Sequence, residues 1–276
     1  MKIALGFWGL TRSLKYTHES IQTNILDVLK NNNIDYTIFM HTYCVDKLYS
    51  NPRAGEKNIK LDNNEYKLLN ADIIQIDNQD EIKKVLNLEK YRTQRDPWNT
   101  SYKTVDNFIL ATYSKDCLCN MIRDTKIEYD YIIFLRPDVK FINKIKIEWL
   151  KIVSDNVICI PNFHLFAANR FNDRFAITNM NNYLLYGSLF NKLHNYSKKK
   201  PLHAETYIAT MLKNNKIKWT TIRFYFMRTR ANGKIDKRDA GLIQHKDKDK
   251  AKAKAKDNAK AKDNAKAKAK AKAIIN

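Results

Sequence analysis

Four groups of residues in this chain have the types and spacing to handle an anionic or hydroxylated ligand. Arg136-Pro137-Asp138 closes an apolar run, Tyr131 to Leu135. Arg170, Asp173 and Arg174 lie in an Asn-rich stretch, His203-Ala204-Glu205 follows Pro201, and Arg228 and Arg230 precede Asn232-Gly233. A carboxylate between arginines holds hydroxyls through charge-assisted hydrogen bonds. A carboxylate at a helix start can serve as a general base toward a hydroxyl. Paired arginines can clamp a phosphate whose negative charge grows as it leaves. Each group also has a plainer reading. Arg136 and Asp138 can be an ion pair in a turn, Asp173 can be a loop ion pair, and Glu205 can simply answer the helix dipole.

The first turn, GFWGLTR, contains two glycines without the spacing of a dinucleotide or Walker loop. That counts against a dehydrogenase and a P-loop kinase. Gly6 and Gly9 either admit a ligand close to backbone or merely allow the turn. Arg12 can meet a diphosphate through paired N–H donors. Trp8 reads as core more readily than as a surface for stacking a base. Tyr43, after His41 and Thr42, can stack on a nucleobase, and His41 reads as a half-buried strand end. Lys115 either reaches a phosphate or is one more exposed lysine.

These residues need a scaffold, and the hydrophobic pattern describes one. Residues 2–8 read as a first strand, about 17–30 as a helix, and 35–42 as a second strand, together a parallel pair with a crossover. Residues 44–65 are polar and read as a long loop, functional or disordered. A short strand follows at 71–77 and a helix at 79–88. A helix over 101–122 leads into Tyr131–Leu135, an apolar, β-branched run of the kind buried on both faces of a parallel sheet. Pro137 has no N–H and ends the ladder. Arg136 and Asp138 therefore emerge at the carboxyl end of a central strand, where ligands bind in open α/β sheets. A strand at 157–160, helices at 180–194 and 203–214, and a strand over 217–227 complete the reading.

With 276 residues, 44% of them hydrophobic, the chain can bury the core of one large domain. It has no apolar stretch long enough for a bilayer, and its first residues lack a signal peptide's apolar region. Cys44, Cys117, Cys119 and Cys159 suit neither a disulfide framework nor a zinc site, and read as thiols of a reducing compartment. The net charge is +21, of which twelve lysines and four aspartates in residues 246–276 supply a share. The basic remainder favours anionic ligands, although abundant Lys and Asn also follow from an AT-rich coding sequence. Residues 1–245 form the expected folded domain. Residues 246–276 are a low-complexity Lys/Ala tail without an apolar face. It reads as solvated, with a basic tether for a membrane surface or nucleic acid as the functional alternative.

Taken in order, GFWGLTR, IDYTIFMHTY, YDYIIFLRPDV, NDRFAITN, HAETYIATML and FMRTRANG resemble a glycosyltransferase of the GT-A fold. The resemblance is to polysaccharide-type transferases of bacteria and large DNA viruses, and spans about residues 2–239. It implies a Rossmann-like, mostly parallel sheet flanked by helices. It implies a UDP- or GDP-type nucleotide-sugar donor held by Gly6, Trp8, Gly9, Arg12, Tyr43, Lys115, Arg136, Asp138, Arg174, Arg228 and Arg230. Asp138 would hold the diphosphate through Mn²⁺ or Mg²⁺. Asp173 would face the donor sugar and Glu205 would sit on the acceptor side, Glu205 being the first choice and Asp173 the second for the base or contact to a glycan or glycoprotein hydroxyl. The family's motif has two carboxylates flanking one residue. Here Arg136 takes the first position, so the metal becomes optional. The expected compartment is the cytoplasm, the host's for a viral source. The competing expectations are a basic module that binds nucleic acid or an acidic surface, which lacks any helix-turn-helix, zinc or RNA-recognition signature, and a nucleotidyltransferase.

Overall fold

The computed structural model describes residues 1–242 and Gln244. The predicted tail, 246–276, lies outside the described residues. In chain order the strands and helices are β1 (Lys2–Trp8), α1 (Leu14–Ile21), α2 (Asp27–Asn31), β2 (Asp35–Cys44), β3 (Tyr49–Asn51), β4 (Glu56–Ile59), β5 (Ile73–Asn78), α3 (Gln79–Leu86) and α4 (Lys103–Asp124). They continue with β6 (Tyr131–Leu135), β7 (Val139–Phe141), β8 (Val157–Pro161), β9 (Ala176–Thr178), α5 (Tyr183–Gly187), α6 (Phe190–Ser197), α7 (Ala204–Asn214), β10 (Lys218–Ile222) and β11 (Phe226–Arg228).

Seven strands form the central sheet in the order β10-β8-β9-β6-β1-β2-β5. β9 runs antiparallel to β6 and β8, and the other neighbouring pairs are parallel. The protein is therefore α/β with a mostly parallel sheet. Its two central strands are apolar because both of their faces are covered. Alternate residues of β1 and β6 feed two cores. Ala4, Trp8, Ile132 and Phe134 pack with the apolar sides of α4 and α7. Ile3, Leu5, Phe7, Ile133 and Leu135 pack with α1, β7 and β11. Among the described residues no helix is long and apolar enough to cross a membrane.

β1 leads outward through β2 to β5, whereas β6 begins the other half of the sheet. The chain order thus reverses between β1 and β6, which are parallel neighbours. Such a switch point opens a crevice at the strands' carboxyl ends. The Trp8–Arg12 turn and Arg136–Asp138 both stand there.

Gly6, expected near a ligand, does something else. A Cβ at Gly6 would lie 2.4 Å from Leu118 Cδ2, so its missing side chain lets α4 settle onto β1. Gly6→Ala is expected to cost about 1–3 kcal/mol through overpacking. A urea titration measures this.

Four element readings change. The first helix starts earlier, at Leu14, and a π-helical turn, Gln22–Leu26, joins α1 to α2. Residues 44–65 contain the β3–β4 hairpin. The helix expected over 180–194 divides into α5 and α6 around Ser188 and Leu189. The strand expected over 217–227 divides because β10 pairs with β8 in the large sheet while β11 pairs with β7 outside it. Phe224, fully buried between them, is the pivot.

Candidate functional site

β6 carries Asp138 into a buried position, 3% exposed, just past Pro137. Arg136 Nε and Nη2 donate to its two oxygens at 2.8 and 2.7 Å. Arg12 Nη2 donates to Oδ2 at 2.8 Å. Burial alone pushes a carboxyl upward, but the Arg136 and Arg12 charges outweigh it and hold Asp138 well below the usual carboxylate range. Arg12 also donates to the Tyr49 hydroxyl, which arrives from the β3–β4 hairpin. The Arg136 guanidinium lies 5.3 Å from the Trp8 ring centre.

The end of the described chain closes the other side. Arg228 donates to both oxygens of Asp239 at 2.8 and 2.7 Å. Arg230 is paired with Asp236, and its guanidinium stands 3.9 Å from Glu56 on β4. Arg238 adds two bonds to Asp236 at 2.9 and 2.8 Å.

Between these walls is a cleft of about 280 Å³. Eleven of the thirteen residues proposed from sequence line it: Trp8, Gly9, Arg12, Tyr43, Arg136, Asp138, Asp173, Arg174, Glu205, Arg228 and Arg230. Arg53 and Arg238 bring its lining arginines to seven. Burial, followed by the neighbouring charge of Arg228, lowers Arg174 to about 10. Burial, followed by Arg12, lowers Arg230 to about 10. Both remain cationic at neutral pH. The crowding is a cost that an anion among them relieves.

Asp173 and Glu205 line the same cleft, with Arg174 and Arg53 among the charges near Glu205. Glu205 is in the first turn of α7 and 8% exposed. Burial, and then the charge of Asp173, push its carboxyl up to about 7. Its Oε2 lies 3.5 Å from His203 Nδ1. His203 stacks on Trp98 with ring centres 5.2 Å apart, and Arg53 covers Trp98 at 5.6 Å. This is a carboxyl that changes charge near neutrality, facing a field of fixed cations.

Two proposed donor contacts do not line the cleft. Gly6 is the packing glycine already described. Lys115 is 2% exposed, between the rings of Trp8 at 4.5 Å and Tyr186 at 4.9 Å, and its Nζ finds no hydrogen-bond partner among the described residues. Burial lowers it to about 8. It is buried rather than exposed, and packs against the Trp8 ring. Tyr43 keeps its ring on the cleft, but its hydroxyl donates to the Leu110 carbonyl at 2.7 Å. Tyr49, Asn51, Arg53, Trp98 and Arg238 line the cleft without having been singled out. The signals were present: a long polar loop holding Pro52-Arg53, and a tryptophan after a proline at Pro97-Trp98.

The residues at Asp138 do not fit Mn²⁺ or Mg²⁺. Such ions need several oxygens near 2.0–2.1 Å, and both Asp138 oxygens already accept from guanidinium groups. Among the described residues, one His/Cys/Asp/Glu group has suitable atoms together, His41, Asp77 and Cys117, within 4.8 Å of one another. None of the three lines the cleft. His41 is fully buried, not half-buried, with Nδ1 2.7 Å from Ser114 Oγ and Nε2 3.1 Å from Asp77. Ser114 Oγ in turn accepts from Gly9 N–H at 2.9 Å. This network pins the end of β1 to α4, and its nitrogen and sulfur atoms are unlike an oxygen cage. All four cysteines are free thiols.

No protein-family model matches this chain, and no curated protein is significantly similar to it. The arrangement of the cleft is therefore what a functional reading rests on.

Proposed function

We propose that the protein is a glycosyltransferase of the GT-A type that moves a sugar from a nucleoside-diphosphate sugar to a hydroxyl of a glycan or glycoprotein. The observation that carries this reading is one cleft at the sheet's switch point lined by seven arginines together with Asp138, Asp173 and Glu205. The mostly parallel sheet is consistent with it. A cleft lined by carboxylates as well as arginines suits a small anionic ligand better than a duplex backbone.

In this reaction the acceptor oxygen bonds to the sugar C1 and passes its proton to Glu205. The bond between C1 and the diphosphate breaks, and its electron pair stays on the phosphate oxygen. Arg12, Arg136, Arg228 and Arg230 face the charge that grows there. Asp173 orients sugar hydroxyls by accepting hydrogen bonds.

The test is nucleotide release from UDP-, GDP- and CMP-sugars by the purified full chain, with a thermal-shift series beside it. A bound diphosphate at 100 times its Kd should add about 2.7 kcal/mol, read as a raised Tm. A chain that no sugar nucleotide stabilises and that releases no nucleotide would remove the reading.

A further inference from the structure

The aspartate that a divalent ion would need is already committed. Both oxygens of Asp138 are held by two guanidinium groups whose own positions are fixed, Arg136 against Trp8 and Arg12 against Tyr49. Arg12 nevertheless keeps an unpartnered donor. It is 91% buried by its 9% exposure, it lines the cleft, and its Nε has no hydrogen-bond partner among the described residues. Arg228 and Arg230 are likewise immobilised, from behind, by Asp239 and Asp236. Neither acid lines the cleft, whereas both arginines do.

The charge count agrees. Three carboxylates line the cleft, and Glu56, Asp236 and Asp239 stand behind the arginines. Seven arginines outnumber these six carboxylates by one when Glu205 is ionised and by two when it holds its proton. A nucleoside diphosphate esterified to a sugar carries two negative charges, and a nucleoside monophosphate sugar carries one.

We infer that the site takes nucleoside diphosphates without a divalent ion, on a preset guanidinium clamp in which Asp138 is a positioning residue for Arg12 and Arg136. This rests on the nucleotide-sugar reading for the identity of the ligand, but the clamp requires only a diphosphate. When C1 separates from the diphosphate, the added negative charge falls on groups that are already oriented, so no ion has to be recruited.

The experiment is calorimetric titration of the full chain with UDP, GDP and inorganic pyrophosphate, once in EDTA and once in Mn²⁺. At least one probe is expected to bind equally in both, within about threefold. UMP should bind about tenfold or more weakly than UDP, since one charge-assisted hydrogen bond lost is a factor of about 10–100. Arg136→Met, altering a side chain that is 22% exposed, should weaken the diphosphate by the same factor in both buffers. Asp138→Asn should do so too; losing the buried charge lowers its Tm, so a cooperative melt well above the titration temperature is the check on folding. Binding that appears only with Mn²⁺, or an Asp138→Asn effect seen only with Mn²⁺, would overturn the clamp, as would the absence of binding by all three probes. Metal-free diphosphate binding without sugar transfer would uphold the clamp and sink the glycosyltransferase reading instead.

Discussion

Glu205→Gln is expected to abolish most sugar transfer while making the protein more stable above pH 7. The two effects share one cause. The folded carboxyl is pushed from its ordinary 4.5 up to about 7, first by burial and then by Asp173. A folded-state value above the unfolded one means that the folded form holds the proton more tightly. Stability therefore falls as pH rises from about 4.5 to 7, and the full penalty persists at higher pH. Glutamine stays neutral and removes that penalty, a gain of about 1–3 kcal/mol above pH 7 and little change at pH 4. In the proposed transfer the same carboxylate is the base. Turnover by the parent protein should rise with pH through about 7, and the variant should lose about 10²–10⁴-fold together with that limb of the profile. Urea titrations at pH 4 and pH 8 and a pH–rate profile test both halves. A variant with unaltered turnover would remove Glu205 from the chemistry.

Asp239→Ala should have the largest effect on stability. Asp239 is 1% exposed and accepts from Arg228 N, Nε and Nη2 at 2.8, 2.8 and 2.7 Å. His164 Nδ1 stands 3.3 Å away. Removing the acid strips three hydrogen bonds from Arg228 and leaves only Asp236, 3.5 Å away, as its counter-charge, a loss of about 3–5 kcal/mol. Burial raises the Asp239 carboxyl, but the hydrogen bonds and charge of Arg228 overcome that and lower it below its ordinary 3.8. Its contribution is therefore complete above that value and disappears as pH falls through the folded one. The parent protein should lose stability steeply on acidification, and the variant should show a flatter acid limb. Equal stability of the two at pH 7 would show that the cluster contributes no net energy to the fold.

The parallel half of the fold was legible because β1, β2 and β6 are long apolar runs, and only burial on both faces accounts for them. Pro137 marked where the central strand ends, so Arg136 and Asp138 were placed correctly. Arg228 and Arg230 were legible for the same reason, as charges after an apolar run. β9 was not, because three residues carry no period. The hairpin was missed because its strands are short and polar, although it delivers Tyr49, Arg53 and Glu56. Lys115 was misplaced because a lysine on a helix is almost always exposed. The acids behind the arginines were invisible for a deeper reason. Asp236 and Asp239 acquire their meaning from groups that the fold brings to them, and no local pattern distinguishes them from any surface carboxylate.

The cleft joins the two extremes of the described chain. Ser13 Oγ donates to the Thr229 carbonyl across 216 positions, and Arg12 shares one wall with Arg230. During synthesis the N-terminal strands emerge first, at about 5–20 residues per second. The turn after β1 must therefore wait for nearly the whole domain before its partners exist. Until Asp236 and Asp239 leave the ribosome, Arg228 lacks its ion-pair partners and Arg230 has only Glu56. A nascent chain stopped short of them can form much of the sheet and still lack the arginine wall. The proposed anion site can therefore form only late in synthesis, after the rest of the described domain has emerged.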